Sequence, residues 1–238
     1  MKERPILFNT EMVKAVLAGN KTQTRRVIKN ACDIITDWYK NDPSYGPFYE
    51  DEFGDSHESI ERCPYGKIGD QLWVREAWRA CMVNGLHHPG KFMTIQFKSG
   101  FGVLDYRTDW EKHYSDLMEK TIWDDSGMNA FGKWKPSIFL PRKHSRIQLE
   151  ITNIQVQRIQ DISETDALAE GITEVSNKSS VESLIYGHTL YKNYSRPKSS
   201  FNQAKASFKS LWDSINKKRG FGWDENPWVW VVEFKVIS

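Results

Sequence analysis

Residues 19–26 put a lysine, two threonines and two arginines within a few positions of a glycine: Gly19, Lys21, Thr22, Thr24, Arg25 and Arg26. A lysine that gives up its proton can act as a base toward a neighbouring hydroxyl, and an activated threonine hydroxyl is a nucleophile. Guanidinium groups grip carboxylates and phosphates through paired N–H donors. The stretch therefore suits anion or nucleotide recognition, or acyl-transfer chemistry. The competing reading is a solvated basic turn with no chemistry of its own.

The flanking residues say how such a stretch is held. Asn9 or Thr10 can cap a helix whose apolar face is Met12, Val13, Val16 and Leu17. Gly19 stands where a left-handed C-cap belongs. Lys21 and Thr24 then follow the helix end, on the turn into a strand finishing near Ile28. The helix dipole attracts a cation there, which gives Lys21 a structural role as readily as a catalytic one.

A second helix is signalled at 163–171. Ser163 is the N-cap, Asp166 the third helical position and Gly171 the stop. Glu170 falls at its C-terminus, where the dipole disfavours a carboxylate by a few tenths of a kcal/mol, roughly, unless the carboxylate is paired. A third helix has Phe201, Ala204, Phe208, Leu211, Trp212 and Ile215 on one face. It ends in Lys217, Lys218, Arg219 and a glycine-rich loop to Trp223. Basic residues interleaved with aromatics form a candidate nucleic-acid contact, although lysines at a helix end also complement its dipole.

Strands are read at 71–78, 145–159 and 228–236. In the first, Leu72 and Val74 face the core, with Trp73 and Arg75 on the other side. Arg75 and Glu76 lie between Trp73 and Trp78, as part of a functional wall or as a surface ion pair. The second follows a basic cluster, Arg142, Lys143, His144 and Arg146. Its apolar pattern runs Ile147, Leu149, Ile151 and then slips to Ile154 and Val156, predicting a bulge near Thr152-Asn153. The third, with Trp228, Trp230, Val232 and Phe234 on one face and Val229 and Val231 on the other, reads as a central strand.

The 238 residues are 39% hydrophobic and 13% aromatic, enough for a sizeable core, and the net charge of +2 confines any nucleic-acid site to a local patch. Cys32, Cys63 and Cys81 are an odd set without a CxxC pair, so reduced thiols are expected. His87-His88 lacks ligands at metal spacing, and no metal or cofactor is expected. The amino terminus has no signal-peptide pattern and no run of about 18 apolar residues occurs, which reads as a cytoplasmic protein without a membrane partner. One domain spanning 1–238 is expected, with insertions at about 30–66, 79–132 and 174–200. The second insertion holds a strand at Phe92–Phe97 and a helix at Tyr106–Lys120, and the third is a mobile loop.

In order along the chain, the 19–26 motif, the 163–171 helix and the closing Trp-Val-Trp-Val-Val-Glu-Phe-Lys strand resemble the ASCH domain of the PUA-like superfamily. Residues 21–26, 69–76 (Gly-Asp-Gln-Leu-Trp-Val-Arg-Glu) and 211–216 (Leu-Trp-Asp-Ser-Ile-Asn) are similar to phage and prophage ASCH proteins over nearly the whole chain. The resemblance implies an α+β fold, a small mixed β-barrel with flanking helices and long inserted loops. The family pattern is Gly-x-Lys-x-x-Glu-x-Arg; Gly19, Lys21 and Arg26 match, while Thr24 replaces the glutamate. A branch that hydrolyses N4-acetylcytidine also has threonine there. By that resemblance Lys21 is the proton acceptor, Thr24 the nucleophile and Glu170 the proton donor.

Thr22, Arg25, Arg26, Arg75, Glu76, Arg146, Lys217, Lys218, Arg219 and Trp223 are the candidate contacts to RNA, DNA or a modified nucleoside. A non-catalytic reader of modified bases and an ASCH-type ribonuclease are the alternatives to an amidohydrolase.

Overall fold

The computed structural model describes residues 1–29, 48–50, 56–58, 63–84, 91–104, 122–123, 129–175, 189–196 and 199–237. In chain order the elements begin with β1 (Glu3–Leu7), α1 (Thr10–Leu17), β2 (Gln23–Val27), β3 (Phe48–Glu50) and β4 (Ser56–Glu58). Next come β5 (Gln71–Arg75), β6 (Trp78–Asn84), β7 (Lys91–Phe97), β8 (Gly100–Leu104), β9 (Ile122–Trp123) and β10 (Asn129–Phe131). The chain closes with β11 (Gln148–Arg158), α2 (Glu164–Ala169), β12 (Tyr191–Lys192), β13 (Ser200–Phe201), α3 (Ala204–Asn216) and β14 (Trp228–Val236). Mixed sheets with a few helices make this an α+β chain.

One five-stranded sheet has the order β1-β5-β11-β14-β2. Its ends are two different strands, β1 and β2, so it is open. Closure would require those edges to hydrogen-bond to one another. The expected small barrel is therefore corrected to an open sheet among the described residues. β14 does sit inside the sheet, as its two apolar faces predict, with Val229, Trp230, Val231, Val232 and Phe234 all buried.

The residues group into two compact units. The first comprises Met1–Lys2, Ala15–Gln71 and Glu150–Val236. Its core joins Ile159, Ile162, Ala167 and Ile172 to Phe208, Trp212 and Trp223, with Val229 and Val231 beneath them. The expected face of α3 is largely right, but Ile215 is exposed and Phe201 belongs to β13. Asn153 accepts the N–H of Ile154 at 2.9 Å, which engages that donor locally, at the place where the apolar pattern of β11 slips. The region expected as a loop at 174–200 contains β12, paired antiparallel with β13.

The second unit comprises Glu3–Lys14, Leu72–Leu149 and Ile237–Ser238. It holds a sheet of order β8-β7-β6-β10-β9, where the sequence suggests an excursion with one strand and one helix. β6 and β7 pair antiparallel, with Trp78 opposite Phe97. Trp78, Ile95, Phe97 and Leu140 form a buried cluster. His87, His88 and the expected helix at 106–120 lie outside the described residues, as does Cys32. Cys63 and Cys81 are buried. Among the described residues no helix is long and apolar enough to cross a membrane.

Trp212 is a buried anchor of α3. Its ring lies 6.1 Å from that of Phe208, and its indole N–H donates to the Phe221 carbonyl at 2.8 Å. Truncation leaves both a cavity and an unpaired acceptor. Trp212→Ala is expected to cost about 3–5 kcal/mol in denaturant unfolding.

Candidate functional site

The first unit positions the 19–26 motif through two helix ends. At the close of α1, Gly19 has φ +75°, and the N–H groups of Asn20 and Lys21 both donate to the Ala15 carbonyl, at 2.9 and 3.1 Å. The chain is then steered against the C-terminus of α2. Lys21 forms an antiparallel bridge with Glu170, and the Thr22 N–H donates to Ala169 at 2.9 Å. β2 follows, its Thr24 opposite Val232 and its Arg26 opposite Trp230 on β14.

α2 is only six residues long but well capped. Ser163 accepts the Asp166 N–H at 3.0 Å, and the Asp166 carboxylate reaches back to the Ser163 N–H, completing the expected capping box. Glu170 is the C-cap, and Gly171 at φ +86° turns the chain away.

These ends bring together a buried ionic network. Lys21 is 1% exposed, and its ammonium donates to the Gln23 carbonyl at 2.7 Å, the Glu170 carbonyl at 2.9 Å and Glu170 Oε2 at 2.7 Å. Arg25 Nη1 donates to the other oxygen, Glu170 Oε1, at 3.2 Å. Its Nη2 pairs with Asp166 Oδ2, also at 3.2 Å. Gln23 Nε2 donates to both the carbonyl and the carboxylate of Asp166, at 2.8 and 3.2 Å. The carboxylate expected to suffer at a helix C-terminus is thus held by two cations.

Burial pushes the Lys21 ammonium below the ordinary lysine range. The Glu170 carboxylate opposes that shift, and Arg26 and Arg25 reinforce it. Burial alone would raise Asp166, but hydrogen bonds from Gln23 and Ser163 and the Arg25 charge together hold its carboxyl below the usual range. Burial also raises the Tyr65 phenol, with the nearby charge of Arg26 opposing. Arg26 and Tyr65 are therefore half-buried neighbours, with the exposed Arg219 near enough for its charge to act on both.

The structure joins Lys21 and Glu170 directly. Thr24 is 1% exposed and one strand position from both Gln23 and Arg25. Strand alternation turns its side chain to the opposite face from theirs. Thr22 is exposed. Two members of the network, Gln23 and Asp166, were not among the expected site residues. Their signals are the spacing of Asp166 and Glu170, one helical turn apart, and the strand positions 21, 23 and 25, which share a face.

Several expected contact residues have other work. In the second unit Glu76 pairs not with Arg75 but with Arg146, whose Nε donates to Oε1 at 2.9 Å and Nη2 to Oε2 at 3.1 Å. Ser99 joins this pair, donating to Glu76 and accepting from Arg146. The Arg146 guanidinium lies 4.4 Å from the centroid of the Phe97 ring. Arg75 stacks on Trp73 at 4.5 Å, and Arg142 approaches the same ring at 6.0 Å, which buries a tryptophan expected to face away from the core. Back in the first unit, Lys217, Lys218 and Arg219 are exposed, but Trp223 is 8% exposed and packed edge-on to Phe208 at 6.4 Å. Its ring also lies 6.0 Å from the Lys209 ammonium, so Trp223 is largely enclosed by α3. Among the described residues no three His, Cys, Asp or Glu side chains converge as a metal site.

No family model matches the chain, and no curated protein matches it. Comparison with solved structures finds a similarity to the ASCH domain from Lactobacillus crispatus JV V101, at 11% identity, covering 99% of this chain and 79% of that one, with a TM-score of 0.34. A likeness at that level carries no argument about fold or activity.

Two outcomes follow from the packing of the site. A Cβ on Gly171 would lie 2.7 Å from Ala15 Cβ and 3.1 Å from Lys21 Cβ, in a left-handed conformation. Gly171→Ala is therefore expected to lower stability by about 2–4 kcal/mol in chemical unfolding, combining backbone strain and overpacking. Lys21 binds its proton less tightly in the folded chain than in the unfolded one, whose ordinary value is 10.5. Below the folded titration point both states are protonated. Above it the unfolded state holds more protons, so stability from this residue rises with pH until the unfolded lysine also titrates. Lys21→Met is expected to be destabilised by about 3 kcal/mol at neutral pH, because it breaks a buried pair. Wild type should gain further on Lys21→Met as pH is raised toward 10.5 in urea titrations, and a constant difference would refute the assignment.

Proposed function

We propose that the protein is an ASCH-type protein that recognises a nucleoside, or an exposed base of RNA or DNA, and hydrolyses an amide on an acylated base such as N4-acetylcytidine. The observation that carries this reading is the buried Lys21–Glu170 pair, an ammonium 2.7 Å from a carboxylate oxygen next to a threonine-bearing strand. Burying two such charges costs several kcal/mol per ion, roughly, in desolvation that a hydrophobic pair would avoid. A buried lysine held below its ordinary range by its surroundings, with a specific charge partner, marks a candidate reacting centre.

The pair supports a balanced proton sequence. Transfer of one proton from Lys21 Nζ to Glu170 Oε2 gives a neutral amine and a neutral acid. The amine then takes the Thr24 hydroxyl proton as the threonine oxygen attacks the amide carbonyl. As the C–N bond breaks, Glu170 returns its proton to the departing exocyclic nitrogen. Water hydrolyses the acyl-threonine ester and restores the hydroxyl, releasing the carboxylic acid. Lys21 and Thr24 are buried and lie on opposite faces of the strand, so substrate binding has to bring the hydroxyl to the amine as well as uncover both, and affinity includes the cost of that rearrangement.

A non-catalytic base reader is the second reading, and one observation favours it. All three protons of Lys21 are engaged by acceptors, as befits a permanent structural cation. In that case affinity comes from Arg26, Arg219, Lys217 and Lys218 and falls with salt.

The test is incubation with N4-acetylcytidine and other acylated nucleosides, with product followed by mass spectrometry. Turnover that drops at least about a hundredfold in Lys21→Ala, Thr24→Ala and Glu170→Gln supports hydrolysis. Salt-dependent binding of RNA or DNA without turnover leaves the reader. Neither turnover nor binding at low salt refutes both.

A further inference from the structure

Asp166 contacts Gln23, Arg25 and Glu170, three of the residues that surround Lys21. Its carbonyl accepts the Glu170 N–H at 2.9 Å and the Gln23 side chain at 2.8 Å. Its carboxylate caps the start of α2 and pairs with Arg25 Nη2 at 3.2 Å. Asp166 and Glu170 are one helical turn apart, so a single guanidinium spans them, one arm on each. That division matters because the preferred geometry of an arginine with a carboxylate is bidentate. Held by one arm only, Glu170 keeps Oε2 for the Lys21 ammonium.

We propose that Asp166 is the positioning residue of this site: it keeps one arm of Arg25 away from Glu170 and so reserves the second carboxylate oxygen for Lys21. The role rests on reading Lys21 and Glu170 as the working pair. The charged groups facing Lys21 are Glu170 from the end of α2, with Arg25 and Arg26 from β2. Removing the Asp166 charge leaves those three in place, weakens the acceptors for Gln23 and the Ser163 N–H, and changes how Arg25 is shared. Arg25 then closes on Glu170 with both arms, and Lys21 loses part of its counter-charge.

The experiment is a pH titration of lysine side-chain carbons by NMR in the full chain, with the Lys21 signal identified by its loss in Lys21→Arg. Asp166→Asn keeps the shape and an acceptor for Gln23. It is expected to lower the Lys21 midpoint by about one unit, a tenfold loss of proton affinity. Ser163→Ala weakens the same helix cap but leaves the Arg25 contact, and is expected to leave the midpoint unchanged. In an Arg25→Gln background there is no guanidinium to reassign, so Asp166→Asn should have no further effect. An unchanged midpoint in Asp166→Asn, an equal shift in Ser163→Ala, or a full Asp166→Asn effect without Arg25 would each overturn the assignment. The nucleoside assays are separate: a midpoint that moves as expected in a protein inert toward every nucleoside refutes the proposed function and keeps the positioning role of Asp166.

Discussion

The first unit depends on one carboxylate being shared between two cations. Glu170 receives Lys21 on one oxygen and Arg25 on the other, in a place where each ion would be costly alone. Nothing in the local chemistry of Lys21 or β2 requires a lysine and an arginine to be buried there, and nothing in α2 requires a carboxylate at its C-terminus, where the dipole opposes it. Each is tolerated because the other is present. Such mutual dependence makes the arrangement close to all-or-none, since removing one charge strands the others. It also ties the end of a six-residue helix to the beginning of a strand with more specificity than apolar contact would give.

The surrounding elements can be understood as supports for that contact. α1 ends at Gly19 and returns its last donors to Ala15, which delivers Lys21 to the helix end. The capping box gives α2 enough definition to present Asp166 and Glu170 on one side despite its length. β14, inside its sheet and buried over most of its length, supplies the rigid partner against which β2 keeps register. Gly171 completes the fit from the other side, lying so near Ala15 and Lys21 that even a methyl group would intrude.

Much of this was legible in the residues. The glycine stop after α1, the Ser163–Asp166 cap and the two-sided apolarity of β14 are local signals, each set by neighbours within a few positions. What pairs with what was less so. Nothing near Glu76 in sequence distinguishes Arg75 from Arg146, which is 70 residues away and makes the better bidentate fit. Trp223 looked like an exposed aromatic among cations because the helix that covers it lies earlier in the chain. The sheet at 78–131 was missed for a related reason: its strands are stabilised by partners across hairpins, and their own alternation is diluted by glycine and polar residues. Barrel closure likewise concerns the meeting of two distant edges, about which neither edge carries information.

The Arg146–Glu76 pair has a consequence for how the surface would respond to a polyanion. Counterions gather where charge is uncompensated, and their release into bulk solution drives much of the association of proteins with nucleic acids. Arg146 is already neutralised inside its own unit, and Arg142 is similarly occupied by Glu3 through two hydrogen bonds, at 2.8 and 3.0 Å. These arginines hold few ions to release. The apparent basic cluster at 142–146 is therefore thermodynamically quieter than its composition suggests, while Lys217, Lys218 and Arg219, exposed at the end of α3, carry an ionic atmosphere that a phosphate backbone could displace.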